Sequence, residues 1–421
     1  MKLRLFDLFM GRPLGSGYQK HQEGHFVTKK DLVLEGILDG SLAFSGPQTV
    51  QFDVTNRCNN NCLCCWNNSP YLGNLSEDRL KEKEDELPLK LIKKIFAELK
   101  GLGTKNLVLA GGGEPFMHPK IIDILGAAKK CNFRVSINTN FTLIDEKIAK
   151  KLVDLKIDLI HVSLLAGTPK TYAVVHPNKT EETFLRIVRV LRYMVEERNR
   201  RYQNGPIPQP HVDLYYVIFN KNYRDIRAMT DLAMDLRVNT LEFTPIDVIP
   251  GKTDVLLLNE PQKKEVLESV IAQKVRLEEF NRQNGGKVTF IEQYDPFIKR
   301  LSAENAVKGQ YESTTIVQQP CYVGWAFARI LANGNVTPCL KAHRVTTGNI
   351  YKQKFRNIWN SPEQQLFRKK AFMPQKNDQY LRSIGNNPSE DSGCLSSCDN
   401  IQINIEMHAK YHAVTNKNAK S

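Results

Sequence analysis

The stretch Val50-Gln51-Phe52-Asp53-Val54-Thr55-Asn56-Arg57-Cys58-Asn59-Asn60-Asn61-Cys62-Leu63-Cys64-Cys65 begins as a strand and ends as a cysteine loop. Val50, Phe52 and Val54 alternate with Gln51, Asp53 and Thr55, the period of a strand with one apolar and one polar face. Directly after it, Cys58, Cys62 and Cys65 stand in the spacing C-x3-C-x2-C. Three thiolates this close can hold three irons of a cubane iron–sulfur cluster and leave the fourth iron open, which suits a cluster that must bind and reduce a ligand. A purely structural site would close every position. Zinc also accepts closely spaced cysteines, and on spacing alone it stays open as an alternative.

The next predicted strand, Asn106-Leu107-Val108-Leu109-Ala110, leads into Gly111-Gly112-Gly113-Glu114-Pro115. Consecutive glycines let backbone amides and carbonyls approach a ligand with no Cβ in the way, which a zinc ribbon does not need. Together the two motifs resemble the radical S-adenosylmethionine (SAM) superfamily, whose members carry C-x3-C-x2-C after the first barrel strand and a GGEP-like segment after the second. The resemblance runs from Gln48 to Pro250. It implies that Cys58, Cys62 and Cys65 ligate a [4Fe–4S] cluster whose open iron takes the amino and carboxylate groups of SAM. It also implies that Gly112, Gly113, Glu114 and Pro115 form the segment that holds the methionine amino group. The residue before the last cysteine is usually aromatic in this family; here it is Cys64, with Trp66 just beyond, so the adenine contact of that position is not carried over.

Strand–helix alternation continues along the chain. Strands are predicted at Val50–Thr55, Lys105–Ala110, Phe133–Asn138, Asp158–Leu164, Val212–Ile218 and Thr240–Thr244. Helices are predicted between them at Leu89–Lys100, Pro119–Lys130, Asp145–Leu155, Thr180–Tyr202 and Asp225–Leu236, where apolar residues recur every three to four positions. Such alternation implies right-handed parallel β-α units. It matches the α/β fold that the resemblance also implies, an open (β/α)6 partial TIM barrel. Ligands of parallel barrels lie at the C-terminal strand ends, where both motifs sit. Strand parity places Ser136 and Asn138, His161 and Ser163, Asp213 and Tyr215, and Glu242 and Thr244 together on the lumen face. By position, Asn138 and Ser163 resemble family residues that contact the SAM ribose and carboxylate. Asp213 and Glu242 are candidate catalytic groups for substrate binding or proton transfer. His161 reads as a satisfied buried histidine, and His118 as a brace for the glycine loop.

Beyond Pro250 the pattern changes. A helix at Pro261–Phe280, a strand near Lys287–Ile291 and a polar stretch lead to a second cysteine set, Cys321, Cys339, Cys394 and Cys398. Between the first two, strand-like runs flank Asn333-Gly334, a hairpin dipeptide that folds one cysteine back towards the other. Cys321, Gly334 and Cys339 resemble the C-x9–15-G-x4-C opening of the SPASM and twitch extensions, followed here by Gly348-Asn349-Ile350 and a helix near Phe355–Phe372. A full SPASM domain carries seven cysteines, so these four imply the shorter twitch type with one auxiliary [4Fe–4S] cluster, in a small C-terminal β-hairpin/helix domain; structural zinc is the alternative. The expected division is an N-terminal extension (1–47), the barrel (48–250), a connecting segment (251–320), the auxiliary cluster domain (321–398) and a basic C-terminal tail (399–421).

At 421 residues the chain exceeds one ordinary core, and cysteines clustered in motifs fit metal ligation in a reducing compartment better than disulfides. No secretory signal or membrane-span pattern is found, so a cytoplasmic protein is expected. The net charge of +14 is spread along helices with acids between the bases, without a stacking platform, which argues against nucleic acid and suits an anionic substrate or an acidic electron donor such as flavodoxin or ferredoxin. The resemblance implies that a 5′-deoxyadenosyl radical abstracts hydrogen from an unactivated C–H bond. The favoured reaction is oxidation of a small polar metabolite such as a sugar or cyclitol. Maturation of a ribosomal peptide and redox-neutral sugar epimerisation are the alternatives, a non-catalytic metal scaffold a remote one. The first 48 residues look short for the winged-helix leader-binding domain of many peptide-modifying relatives, which leans towards the metabolite.

Overall fold

Val50 and Phe52 of strand β1 (Thr49–Phe52) face the same core as Leu107 and Leu109 of β2 (Asn106–Leu109), which pairs with it in parallel register, Val50 with Leu107 and Phe52 with Leu109. Helix Leu89–Leu102 bridges the two strands and sets Phe96 edge-on against Phe52, ring centroids 5.3 Å apart. The helix ends at Gly103, whose φ of +88° only glycine adopts without strain and whose N–H caps the Leu99 and Lys100 carbonyls. This unit repeats through β3 (Arg134–Thr139), β4 (Leu159–Ser163), β5 (His211–Ile218) and β6 (Thr240–Pro245), each parallel to its predecessor. The computed structural model describes residues 31–74, 76–201, 209–284, 291–292, 294–372, 378–385, 394 and 398–418.

Among the described residues the sheet has ten strands in the order β10-β9-β8-β1-β2-β3-β4-β5-β6-β7, with β7 at Ile291–Glu292, β8 at Phe327–Ile330, β9 at Asn335–Thr337 and β10 at Gly348–Asn349. It is an α/β sheet, mostly parallel, shaped as a partial barrel. A region of short strands and helices follows the barrel in the chain. That region does not hang apart. β8 pairs in parallel with β1, Gln51 opposite Arg329, so the hairpin predicted around Asn333-Gly334 extends the barrel sheet at its first strand. Ala328, Ile330, Val336 and Phe355 join the barrel's hydrophobic core.

Two differences from expectation have local causes. The helix expected across Phe355–Phe372 is two, Phe355–Trp359 and Pro362–Phe372, because Pro362 begins a new helix and cannot continue an old one. The residues read as a basic tail form helix Ile401–Asn418, with Met407 packed among Val33, Ile37, Tyr322 and Trp325. Its apolar residues Ile401, Ile403, Ile405 and Met407 alternate, a strand-like pattern that hides a helix. Of the strand expected near Lys287–Ile291, residues 287–290 lie outside the described residues, as do residues 1–30 of the N-terminal extension.

Candidate active site

The loop after β1 and the loop after β2 interlock. A Cβ on Gly111 would lie 1.8 Å from Asp53 Oδ1, one on Gly112 1.8 Å from Asn56 Oδ1, and one on Gly113 2.1 Å from the Arg57 carbonyl. The glycines therefore let the second loop lie directly on the strand end that launches Cys58. Within the cysteine loop, backbone N–H groups are aimed at sulfur: Asn60 donates to Cys58 Sγ at 3.5 Å, and Asn67 and Asn68 donate to Cys65 Sγ at 3.4 and 3.3 Å. Burial pushes the Cys58 thiol up to about 12, helped by Cys65 and Glu114 nearby. Burial also lifts Cys62, with Cys65, Cys64 and Cys58 adding to it. Thiols raised in this way, as at Cys58 and Cys62, ionise only beside strong positive charge. Amide donors aimed at sulfur suit a bound cluster, so these residues fit a three-thiolate metal site.

Glu114 is buried, and its carboxylate accepts from Thr139 Oγ1 at 2.7 Å, Asn140 N at 2.7 Å and Phe116 N at 3.1 Å. Burial lifts its carboxyl to about 7 against the pull of those bonds. The group expected at the methionine amine thus also ties the glycine loop to the end of β3. Pro115 opens the short turn Pro115–Met117, and His118 braces it through Leu87 O (3.0 Å) and Lys120 N (3.0 Å). Asn138 has an exposed side chain beside His161 in register, and half-buried Ser163 lies opposite Tyr215.

One strand further, parity gathers His161, Asp213 and Glu242 from β4, β5 and β6. A ligand-capable atom of each lies within 4.8 Å of the others. His161 Nδ1 is bonded to Asp213 Oδ2, while Asp213 Oδ1 is buried without a hydrogen-bond partner. Burial opposes the charged imidazole, but Asp213 and Glu242 outweigh it and raise His161 above its usual value. Burial and Asp213 lift Glu242 to about 7, against the opposing pull of His161 and Arg300. The satisfied histidine expected at His161 has Asp213 as its partner and stands half-buried in a lumen triad. Glu242 can therefore hold and release a proton near neutrality.

The second cysteine set also converges. Cys321, Cys339, Cys394 and Cys398 line one apolar pocket with Val323 and Phe367 on its wall. Burial, then the neighbouring cysteines, push the Cys339 and Cys398 thiols upward. Four sulfurs around one pocket fit a closed, four-thiolate site. Two cations here escaped sequence reasoning. Arg329 of β8 grips Asp53 of β1 with Nη2–Oδ2 at 2.6 Å and Nε–Oδ1 at 3.0 Å, and also donates to the Leu340 carbonyl at 2.6 Å. Lys341 pairs with Asp247 beyond β6. A charge inside the apolar run Phe327-Ala328-Arg329-Ile330 was the available signal, since a buried cation needs a partner.

Comparison with known proteins agrees with this geometry. Residues 52–233 match the Radical SAM superfamily, and residues 321–383 match SPASM, an iron–sulfur cluster-binding domain. The chain belongs to the radical SAM superfamily. Radical SAM chains of this architecture are S-adenosylmethionine-dependent enzymes. A tungsten-containing aldehyde ferredoxin oxidoreductase cofactor-modifying protein of Pyrococcus furiosus is 24% identical over 47% of this chain, which spans about half of that relative (52%). An AdoMet-dependent heme synthase of Methanosarcina barkeri is 23% identical over 88% of this chain and 94% of its own length. A PqqA peptide cyclase of Gluconobacter oxydans is 23% identical over 79% and 82%. The crystal structure of Streptococcus suis SuiB bound to precursor peptide SuiA shares the fold at a TM-score of 0.56 and 16% identity, covering 86% of this chain and 74% of that one. No helix among the described residues is long and apolar enough to cross a membrane.

Proposed function

We propose that this radical SAM enzyme modifies a peptide, with an open (β/α)6 barrel holding SAM and one auxiliary cluster at Cys321, Cys339, Cys394 and Cys398. What carries the reading is the joint presence of the radical SAM barrel and the SPASM domain in the arrangement of SuiB, whose structure was solved with a precursor peptide, alongside the likeness to PqqA peptide cyclase over 79% of this chain and 82% of that one. These relatives favour a peptide over the sugar or cyclitol expected from cysteine count and N-terminal length. When bound, the cluster at Cys58, Cys62 and Cys65 together with SAM supplies a 5′-deoxyadenosyl radical for hydrogen abstraction, and the auxiliary site supplies an acceptor for one electron.

The chain's own residues do the rest. Gly112, Gly113, Glu114 and Pro115 seat the methionine end of SAM, and Asn138 and Ser163 reach its ribose and carboxylate from the ends of β3 and β4. Oxidation by abstraction and electron loss also releases a proton, and Glu242 is the acceptor, with His161 and Asp213 positioning it. Electrons enter from a cytoplasmic flavodoxin or ferredoxin, drawn by the positive net charge. The test incubates reconstituted enzyme, SAM and reductant with a deuterated peptide encoded beside its gene. Deuterium in 5′-deoxyadenosine and a peptide altered in mass support the reading. The heme synthase likeness, over 94% of that protein, makes a porphyrin the comparison substrate; deuterium transfer from it and none from the peptide overturns the peptide reading.

A further inference from the structure

Trp66 follows Cys65 directly, and its indole N–H donates to the Asp247 carbonyl at 3.0 Å. The Asp247 carboxylate forms an ion pair with Lys341 Nζ, which lies 6.0 Å from the Trp66 ring centroid. Lys341 stands two residues after Cys339 and shares the wall of the pocket that all four auxiliary cysteines line, while Asp247 lies outside that lining. The Leu340 carbonyl is held in turn by Arg329, the partner of Asp53 on β1. A buried ion pair is thus fixed between the two cysteine sites, its cation on the wall of the auxiliary pocket and the main chain of its anion tied to the loop of the first.

Such a pair is weak in stability terms, because removing two charges from water offsets most of their attraction. Its field is another matter. Reduction adds negative charge to a cluster, and a buried cation beside it favours the reduced form with little solvent screening. We propose that the Lys341–Asp247 pair raises the reduction potential of the auxiliary site and so makes it the electron acceptor of the pair. The inference rests on reading Cys321, Cys339, Cys394 and Cys398 as a cluster site. Asp399, beside Cys398, faces the same ammonium, and Arg300, Glu312 and Arg329 complete the surrounding charges. Removing Lys341 therefore takes one cation from two carboxylates beside the pocket, leaving Arg300 and Arg329 as the remaining positive charges near Asp399. Removing the Asp247 charge leaves the ammonium less balanced.

Opposite signs follow. Anaerobically reconstituted full-length protein is titrated with dithionite and the reduced clusters are followed by electron paramagnetic resonance, the SAM-site cluster being recognised by its response to added SAM. Lys341→Met should lower the auxiliary midpoint potential, Asp247→Asn should raise it, and Lys341→Arg should leave it near wild type, all with wild-type iron content. If Lys341→Met does not fold, the direction of the Asp247→Asn shift decides alone. Shifts of the same sign in both variants, or none, overturn the proposal. A wild-type protein with a SAM-responsive cluster and no second iron signal overturns the cluster reading beneath it instead.

Discussion

Glu242 shows how a single residue links burial to chemistry. Its carboxyl rises from 4.5 to about 7, so between those values the folded chain holds a proton that the unfolded chain has released. The stability contributed by that proton is full below the lower value and is lost as pH rises through the window. Glu242→Gln removes the cost of the buried charge, and we expect it to stabilise the protein by about 1–2 kcal/mol at pH 8 and by nothing at pH 4, read from denaturant midpoints. If Glu242 accepts the substrate's proton, product formation in wild type rises with pH through about 7. The Gln variant should lose roughly 100-fold in product while still forming deoxyadenosine. An unchanged pH profile in that variant would remove Glu242 from the reaction. Parity along β4, β5 and β6 was enough to place Asp213 and Glu242 on one face beforehand, because alternate side chains must share a side. That His161 bonds Asp213 was not legible. Parity gives a face, whereas the partner depends on strand register.

At the scale of elements, close approach and charge pairing hold the two cysteine regions together. Gly113→Ala puts a Cβ 2.1 Å from the Arg57 carbonyl, so the glycine loop must retreat from the cysteine loop. The expected outcome is loss of iron and SAM binding at the first site with the auxiliary iron retained, measured by iron assay and calorimetry; full SAM affinity in that variant would show that the interlocked loops do not matter. Arg329 and Asp53 are both buried, and cutting the pair with Arg329→Met strands a carboxylate in the core. A loss of about 3–5 kcal/mol is expected in denaturant unfolding, with much of it recovered in Arg329→Met/Asp53→Leu, since an apolar pair leaves no orphan charge. The barrel elements were readable because each helix and strand carries its own period within a residue or two of its observed ends, save β1, expected to run to Thr55 and ending at Phe52. The joining of β8 to β1 was not, for strand partners far apart in the chain leave no local mark. At Ile401–Asn418, read as a basic tail, alternating isoleucines give no helical period, and docking on Leu32–Asp39 is what the helix needs.

For the whole molecule, the donor sets predict two metal sites of different character, one left open by three cysteines and one closed by four. Anaerobic reconstitution should yield about eight irons per chain with charge-transfer absorption. The most direct measurement is 5′-deoxyadenosine formed from SAM under strong reductant, compared across wild type, the Cys58→Ala/Cys62→Ala/Cys65→Ala variant and the Cys394→Ala/Cys398→Ala variant. The first variant should keep about half of the iron and form no deoxyadenosine. The second should also lose about half of the iron, yet continue to cleave SAM while losing oxidised substrate. Stoichiometric zinc without charge-transfer absorption, or deoxyadenosine persisting without Cys58, Cys62 and Cys65, would contradict the assignment.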